Sequence, residues 1–294
     1  MISAASPIVS AGARHLQSLV LVVVALLCVL SLPAAADDSI EIFDAHLHYN
    51  REPTPYLAPD EVLALLKQNN VTGIIATSRP NTGIYALAGS NSDDLWVVPF
   101  IRPYRVRADI ATWMNDPSIF DLVREEYRRG IYRGIGEFHL VGRAAATAEV
   151  KHIVDFAVDK NLYLHCHCDA EALEILFSHN PRSRIIWANT GFSLDIAKVR
   201  SLLASHAELW GELSYRSGIT DGDGRLTAAW RELFESNPDR FLLGTDTWSN
   251  ERWASYSSLI SGYRHWLAQL PPAVARKIAH ENGKRLFAPR DTTQ

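Results

Sequence analysis

Ile40-Glu41-Ile42-Phe43-Asp44-Ala45-His46-Leu47-His48 begins as an alternating apolar run and ends on two histidines. β-Branched and aromatic residues at period two predict a strand, and barrel proteins carry their chemistry where parallel strands end. Seven similar runs follow: Val71 to Ala76, Trp96 to Ile101, Gly134 to Phe138, Leu162 to Cys166, Ile185 to Ala188, Leu209 to Leu213 and Phe241 to Leu243. Between them lie stretches of helical period, among them Val62, Leu65 and Leu66 and then Ile153, Val154 and Ala157. Helix starts are marked by Pro59-Asp60-Glu61 and by Ser193 ahead of Asp195, whereas Asn81 to Asp94 reads mostly as loop. Eight βα units in ~250 residues predict the α/β class and a single-domain (β/α)8 TIM barrel, not an open doubly wound sheet.

Upstream of the first strand, Leu19 to Pro33 is apolar but shorter than the ~20 residues a bilayer-spanning helix needs, and Ala34-Ala35-Ala36 follows it. This reads as a signal peptide over residues 1–36, cleaved to leave a barrel domain over 37–294; an uncleaved anchor is the alternative. The expected location is periplasmic or secreted, with no stable membrane association after cleavage. The chain of 294 residues is 47% hydrophobic and 21% charged, enough for a large core without a disulfide framework. With 29 basic and 33 acidic residues the net charge is -4, which argues against a nucleic-acid partner and leaves a small-molecule substrate; a homo-oligomer is compatible. Cys166 and Cys168, two apart on a strand, are not expected to pair with each other.

Alternation along the first strand puts Asp44, His46 and His48 on one face and Phe43, Ala45 and Leu47 on the face toward the helices. Polar residues recur at later strand ends, in Gly136-Glu137-Phe138-His139, Leu164-His165-Cys166-His167 and Gly244-Thr245-Asp246-Thr247-Trp248. Histidines and carboxylates converging at one level suit a divalent metal. His139, His167 and Trp248 fall on the same rim as candidate pocket residues. Arg102 and Arg216, after the third and seventh strands, are candidate forks for a substrate carboxylate or phosphate. Asp44 is a candidate partner that orients an imidazole.

These motifs, with the closing Ile278-Ala279-His280-Glu281-Asn282-Gly283-Lys284-Arg285-Leu286-Phe287, resemble the amidohydrolase superfamily, in its branch of amidohydrolase-related, metal-dependent barrel hydrolases. The resemblance implies metal ligation by His46, His48, Glu137, His165 and Asp246, with Asp246 handling protons and His165 either ligating or steering water. It implies hydrolysis of an ester, lactone or amide bond by metal-activated water, with zinc as the expected ion. Asn189 stands where the family has a sixth-strand histidine, and as a weak ligand it favours one metal; two remain compatible if Glu137 bridges. The alternatives are a nonoxidative decarboxylase of the same superfamily, against which Glu137 argues, and a non-catalytic barrel that only binds.

Overall fold

The computed structural model of the chain describes Met1 and residues 40–50, 56–92 and 94–288; the expected signal segment, after Met1, lies outside the described residues. Eight parallel strands lie in sequence order: β1 (Ile42–His48), β2 (Val71–Thr77), β3 (Trp96–Ile101), β4 (Gly134–Leu140), β5 (Tyr163–Cys168), β6 (Ile185–Trp187), β7 (Leu209–Glu212) and β8 (Phe241–Leu242). All eight coincide with runs read from the sequence. β8 contributes only two ladder residues, and the ring closes onto β1 through Ala45 N–H to Leu243 O at 2.7 Å and Asp246 N–H to His46 O at 2.6 Å.

Helices α1 (Pro59–Gln68), α2 (Ile84–Ala88), α3 (Pro117–Tyr127), α4 (Ala148–Asp159), α5 (Ala170–His179), α6 (Ile196–Ser205) and α7 (Ala228–Ser236) connect the strands. Their apolar stripes bury against the outer face of the sheet. Pro59 opens α1, and Glu61 accepts a hydrogen bond from Ala58 N–H at 2.7 Å. At α6 the cap is Asp195, accepting from Ala197 N–H at 2.8 Å, and not Ser193. The weakly marked second connection holds only a short 3-10 turn and the five residues of α2. Among the described residues no helix is long and apolar enough to cross a membrane.

The strict alternation expected along β1 fails, and a first register shift falls between Ile42 and Phe43. The register against β2 shifts again between Asp44 and Leu47, so Phe43 and Ala45 point into the barrel and only Leu47 joins the outer layer. Phe43 and Ala45 join Ile75, Val98, Phe100, Tyr163, Ile186, Trp210 and Leu242 in an apolar floor. Gly134, on β4, leaves room for Phe100, since a Cβ there would sit 2.3 Å from that ring. Phe287, from the C-terminal helix Asn282–Phe287, seals the floor from below. Its ring lies 4.9 Å from Tyr163, 5.8 Å from Phe100 and 6.1 Å from Phe43. A second correction concerns β5, where Cys166 and Cys168 are joined as a disulfide. Their Cα atoms are 5.5 Å apart, inside the span a disulfide bridges.

Phe287→Ala is expected to cost about 3–5 kcal/mol, the usual penalty for emptying a buried aromatic site. Urea denaturation would read the loss, and metal content per folded molecule should be unchanged because the floor lies below the ligands.

Candidate metal centre

Above the floor the interior turns polar. His46 Nε2 and His48 Nε2 face each other at 3.0 Å. Asp246 Oδ1 lies 3.1 Å from His48 Nε2 and 3.5 Å from His46 Nε2. Glu137 places Oε2 3.4 Å from His48 Nε2 and Oε1 3.6 Å from His46 Nε2. A tetrahedral ion at 2.0–2.1 Å from its N and O ligands would set its donors about 3.3 Å apart. The donor set therefore has both the chemistry and the spacing of a divalent-metal cup.

Glu137 reaches the cup by a local irregularity. β4 and β5 pair Gly136 with His165 and then Phe138 with Cys166, leaving Glu137 outside the ladder as a bulge that turns it inward. Gly136 has φ +133, and a Cβ there would meet His165 O at 2.2 Å, so only glycine fits. Asp246 stands just beyond β8 with φ +50, anchored by its bond to His46 O.

His46 is oriented by a residue the sequence reading missed. Glu212, at the end of β7 and fully buried, places Oε2 2.8 Å from His46 Nδ1. It also accepts from Asn189 N–H at 3.1 Å, Ser214 N–H at 2.6 Å and Ser214 Oγ–H at 2.9 Å. Facing a carboxylate, Nδ1 carries the proton, which leaves the Nε2 lone pair for the cup. The rule that found Glu137, a carboxylate where an apolar strand ends, also fits Glu212 in Leu209-Trp210-Gly211-Glu212. Asp44 does not orient an imidazole: its carboxylate accepts from Thr245 N–H, Thr245 Oγ–H, Tyr256 OH and His46 N–H, at 2.6–3.2 Å, and ties β8 to β1.

His165 lies beside the cup, its ring 4.4 Å from that of His46, and both its ring nitrogens are buried without a partner. Burial, reinforced by the neighbouring His46, holds it well below the ordinary imidazole range, so it is neutral. Asn189 donates to Ser214 Oγ at 2.9 Å and to Asp246 Oδ2 at 3.4 Å, and its own Oδ1 is buried and unpaired. Both residues keep ligand-type atoms in reserve. Burial would raise the Asp246 carboxyl, but His46 and His48 outweigh it and hold it at about 2. Burial likewise opposes ionisation of Glu137, yet His139 and His46 bring it well below the carboxylate range. Burial pulls His46 down, and Asp246, Glu212 and Glu137 overcome it and raise it well above an ordinary histidine. All three directions reflect the mutual attraction of these carboxylates and imidazoles.

The predicted arginine forks are both engaged. Arg102 donates to Glu137 Oε2 at 3.3 Å and Thr77 Oγ1 at 3.2 Å, and its guanidinium touches His48 Nδ1. Arg216 donates to the carbonyls of Ser217, Phe192 and Leu194 and lies over the Trp230 ring, so it stitches loops together instead of facing the mouth. His139 and His167 are on the rim as expected, each about one third exposed, with His167 Nδ1 2.9 Å from Glu137 Oε1. Trp248 is half exposed there.

The fold and this donor set define a (β/α)8 barrel with a cluster of candidate metal ligands at the C-terminal ends of its strands. The amidohydrolase family profile matches residues 43–288, and the chain belongs to that family. No match is found among curated protein sequences. Solved structures share the fold. An amidohydrolase from Burkholderia multivorans with bound HEPES is 15% identical with TM-score 0.51, covering 84% of this chain and 99% of that one. The Burkholderia amidohydrolase in a zinc-bound crystal form is 16% identical with TM-score 0.50, at the same coverage. A protein assigned as a 2-pyrone-4,6-dicarboxylic acid hydrolase from Pseudomonas putida is 12% identical with TM-score 0.57, covering 84% and 97%.

Glu212→Gln should keep the fold but weaken metal binding roughly 10–100-fold, as loss of a carboxylate behind a ligating histidine does. Asp44→Asn should instead lower stability by about 2 kcal/mol with affinity unchanged. Competition with a chromogenic zinc chelator and thermal denaturation of both variants separate the two roles.

Proposed function

We propose that this protein is an exported, metal-dependent hydrolase that cleaves an ester, lactone or amide bond of a small molecule. The observation that carries the reading is the cup of His46, His48, Glu137 and Asp246, in which the two imidazole Nε2 atoms lie 3.0 Å apart and each lies 3.1–3.6 Å from a carboxylate oxygen of Glu137 and of Asp246. A divalent ion there, with zinc matching the N2O2 set, would supply activated water and polarise the scissile carbonyl. Asp246, ionised at neutral pH, accepts the proton of the attacking water and returns it to the leaving group. Asn189 steadies Asp246 through Oδ2. Neutral His165, with no protein partner, is available to hydrogen-bond the water or the substrate, or to add a ligand.

Glu137 favours hydrolysis over decarboxylation, because it sets two carboxylates against the imidazoles. The Pseudomonas neighbour is named for hydrolysis of a pyrone, a cyclic ester, which supports lactones as first candidates. Export is read from residues 1–36 alone.

Elemental analysis of the purified protein should find about one equivalent of zinc or a similar ion, and His46→Ala should remove it. Chelation should abolish hydrolysis of a panel of lactones and aryl esters. Asp246→Asn should lower kcat about 10²–10⁴-fold. Metal below about a tenth of an equivalent after growth with zinc or manganese overturns the reading, as does turnover indifferent to chelation.

A further inference from the structure

The chain's exposed large apolar side chains are gathered at one end. Met1 apart, those among the described residues are Tyr56, Val106, Val141, Phe192, Tyr215 and Trp248, on the loops that follow β1, β3, β4, β6, β7 and β8. The opposite end of the barrel has none. Phe192, Tyr215 and Trp248 sit on three consecutive loops, and hydrogen bonds link those loops. Trp248 Nε1 donates to Tyr215 OH at 3.0 Å, and Ser217 N–H donates to Phe192 O at 3.3 Å. Arg252 covers one face of Tyr215 from 4.0 Å. Phe192 and Tyr215 hold φ values of 55 and 48, which bulky L-residues seldom adopt, so the fold presents these rings at a cost in backbone strain.

This aromatic patch is continuous with the cup. The Phe192 ring lies 4.8 Å from His167, His167 lies 4.3 Å from His139 at 30°, and His139 lies 6.1 Å from the buried Tyr104. His167 in turn reaches Glu137, and Trp248 is two residues from Asp246. A row of ring faces thus runs from solvent to the edge of the donor set. The terminal guanidinium nitrogens of the two candidate forks are already engaged, Arg102 on Glu137 and Thr77 and Arg216 on three carbonyls.

We propose that Phe192, Tyr215 and Trp248 form a subsite for a flat, uncharged aromatic or conjugated ring, which stacks there while its ester, lactone or amide linkage reaches the cup. The subsite stands on its own geometry; only the position of the scissile bond rests on the hydrolase reading. Ring stacking explains why aromatic and not aliphatic side chains occupy this arc, and why two of them are held in strained backbone.

Binding can be measured apart from turnover. Saturation-transfer NMR and calorimetry with the full chain, metal-loaded and metal-stripped, would compare 2-naphthol, its saturated analogue 2-decalol, and citrate. Naphthol is expected to bind at least about tenfold tighter than decalol or citrate. Phe192→Ala and Trp248→Ala should each weaken it roughly three- to tenfold, and Val106→Ala on the far arc should not. Equal affinity for naphthol and decalol, tighter citrate binding, or naphthol binding unaffected by both substitutions overturns the subsite. So does a concentration-dependent dimer, or capture by phosphatidylcholine vesicles, that Trp248→Ala abolishes. Naphthol binding by metal-loaded protein without hydrolysis of any naphthyl ester, naphthyl amide, lactone or aryl ester would overturn the hydrolase reading alone; hydrolysis with no preference for aromatic over alkyl substrates would overturn the subsite alone.

Discussion

The hydrogen bond from Asp246 N–H to His46 O, 2.6 Å long, is the contact on which the site depends. A two-residue β8 cannot fix its register against β1 by a long ladder. The register is held instead by this bond, by Ala45 N–H to Leu243 O, and by side-chain knots: Asp44 with Thr245, and Thr247 with both backbone groups of His48. A slip of one residue would turn Asp246 to the opposite face, away from the imidazoles. Gly244 permits the close approach, since a Cβ there would lie 2.2 Å from Glu212 Oε1 and 2.6 Å from His46 Cβ. Buried polar groups at the seam thus give positional specificity where apolar packing alone would tolerate sliding.

The same closure creates an electrostatic problem. Glu137, Glu212 and Asp246 are all buried around two imidazoles, and desolvating carboxylates costs several kcal/mol each unless they are paired. Arg102 answers part of the charge on Glu137, and His46 and Ser214 answer Glu212. What is left is a central cluster of His46 Nε2, His48 Nε2 and carboxylate oxygens of Glu137 and Asp246, a donor set suited to a divalent cation. The apolar floor below keeps water out from that side, so the local field is screened less than at a surface.

The fold was legible because each strand carried its own period and each helix its own stripe, and neither depends on partners distant in sequence. His46, His48, Glu137, His165 and Asp246 were legible for a related reason: a polar side chain ending an apolar strand has few places to go except the mouth. What escaped was pairwise. Asp44 and His46 look equivalent by alternation, and only the register shift, set against β2, sends one to the seam and the other to the cup. Arg216 resembles a free fork until the β6 loop supplies its carbonyls. Glu212 became recognisable as the partner of His46 only once the ring had closed. The pairing of Cys166 with Cys168 depends on how far the end of β5 contracts, which composition does not encode.

Backbone strain divides the mouth into two halves with different duties. Of the seven non-glycine residues at positive φ among the described residues, Asn70 and Asn161 are asparagines in turns leading into strands, where that residue is readily accommodated. The other five, Asn189, Thr190, Phe192, Tyr215 and Asp246, all follow β6, β7 or β8. The arc from β1 to β5 offers its imidazoles and Glu137 from strand residues, with register shifts in β1 and β4 but with every non-glycine residue near the cup at negative φ. The arc from β6 to β8 is bent out of its preferred backbone, and that bending brings Asp246 over the imidazoles while Phe192 and Tyr215 are held outward. Asn189, strained and with one buried oxygen unpaired, sits where the two halves meet. A neutral amide there holds Asp246 and Ser214 in place without adding charge to a cup that already has three carboxylates around it.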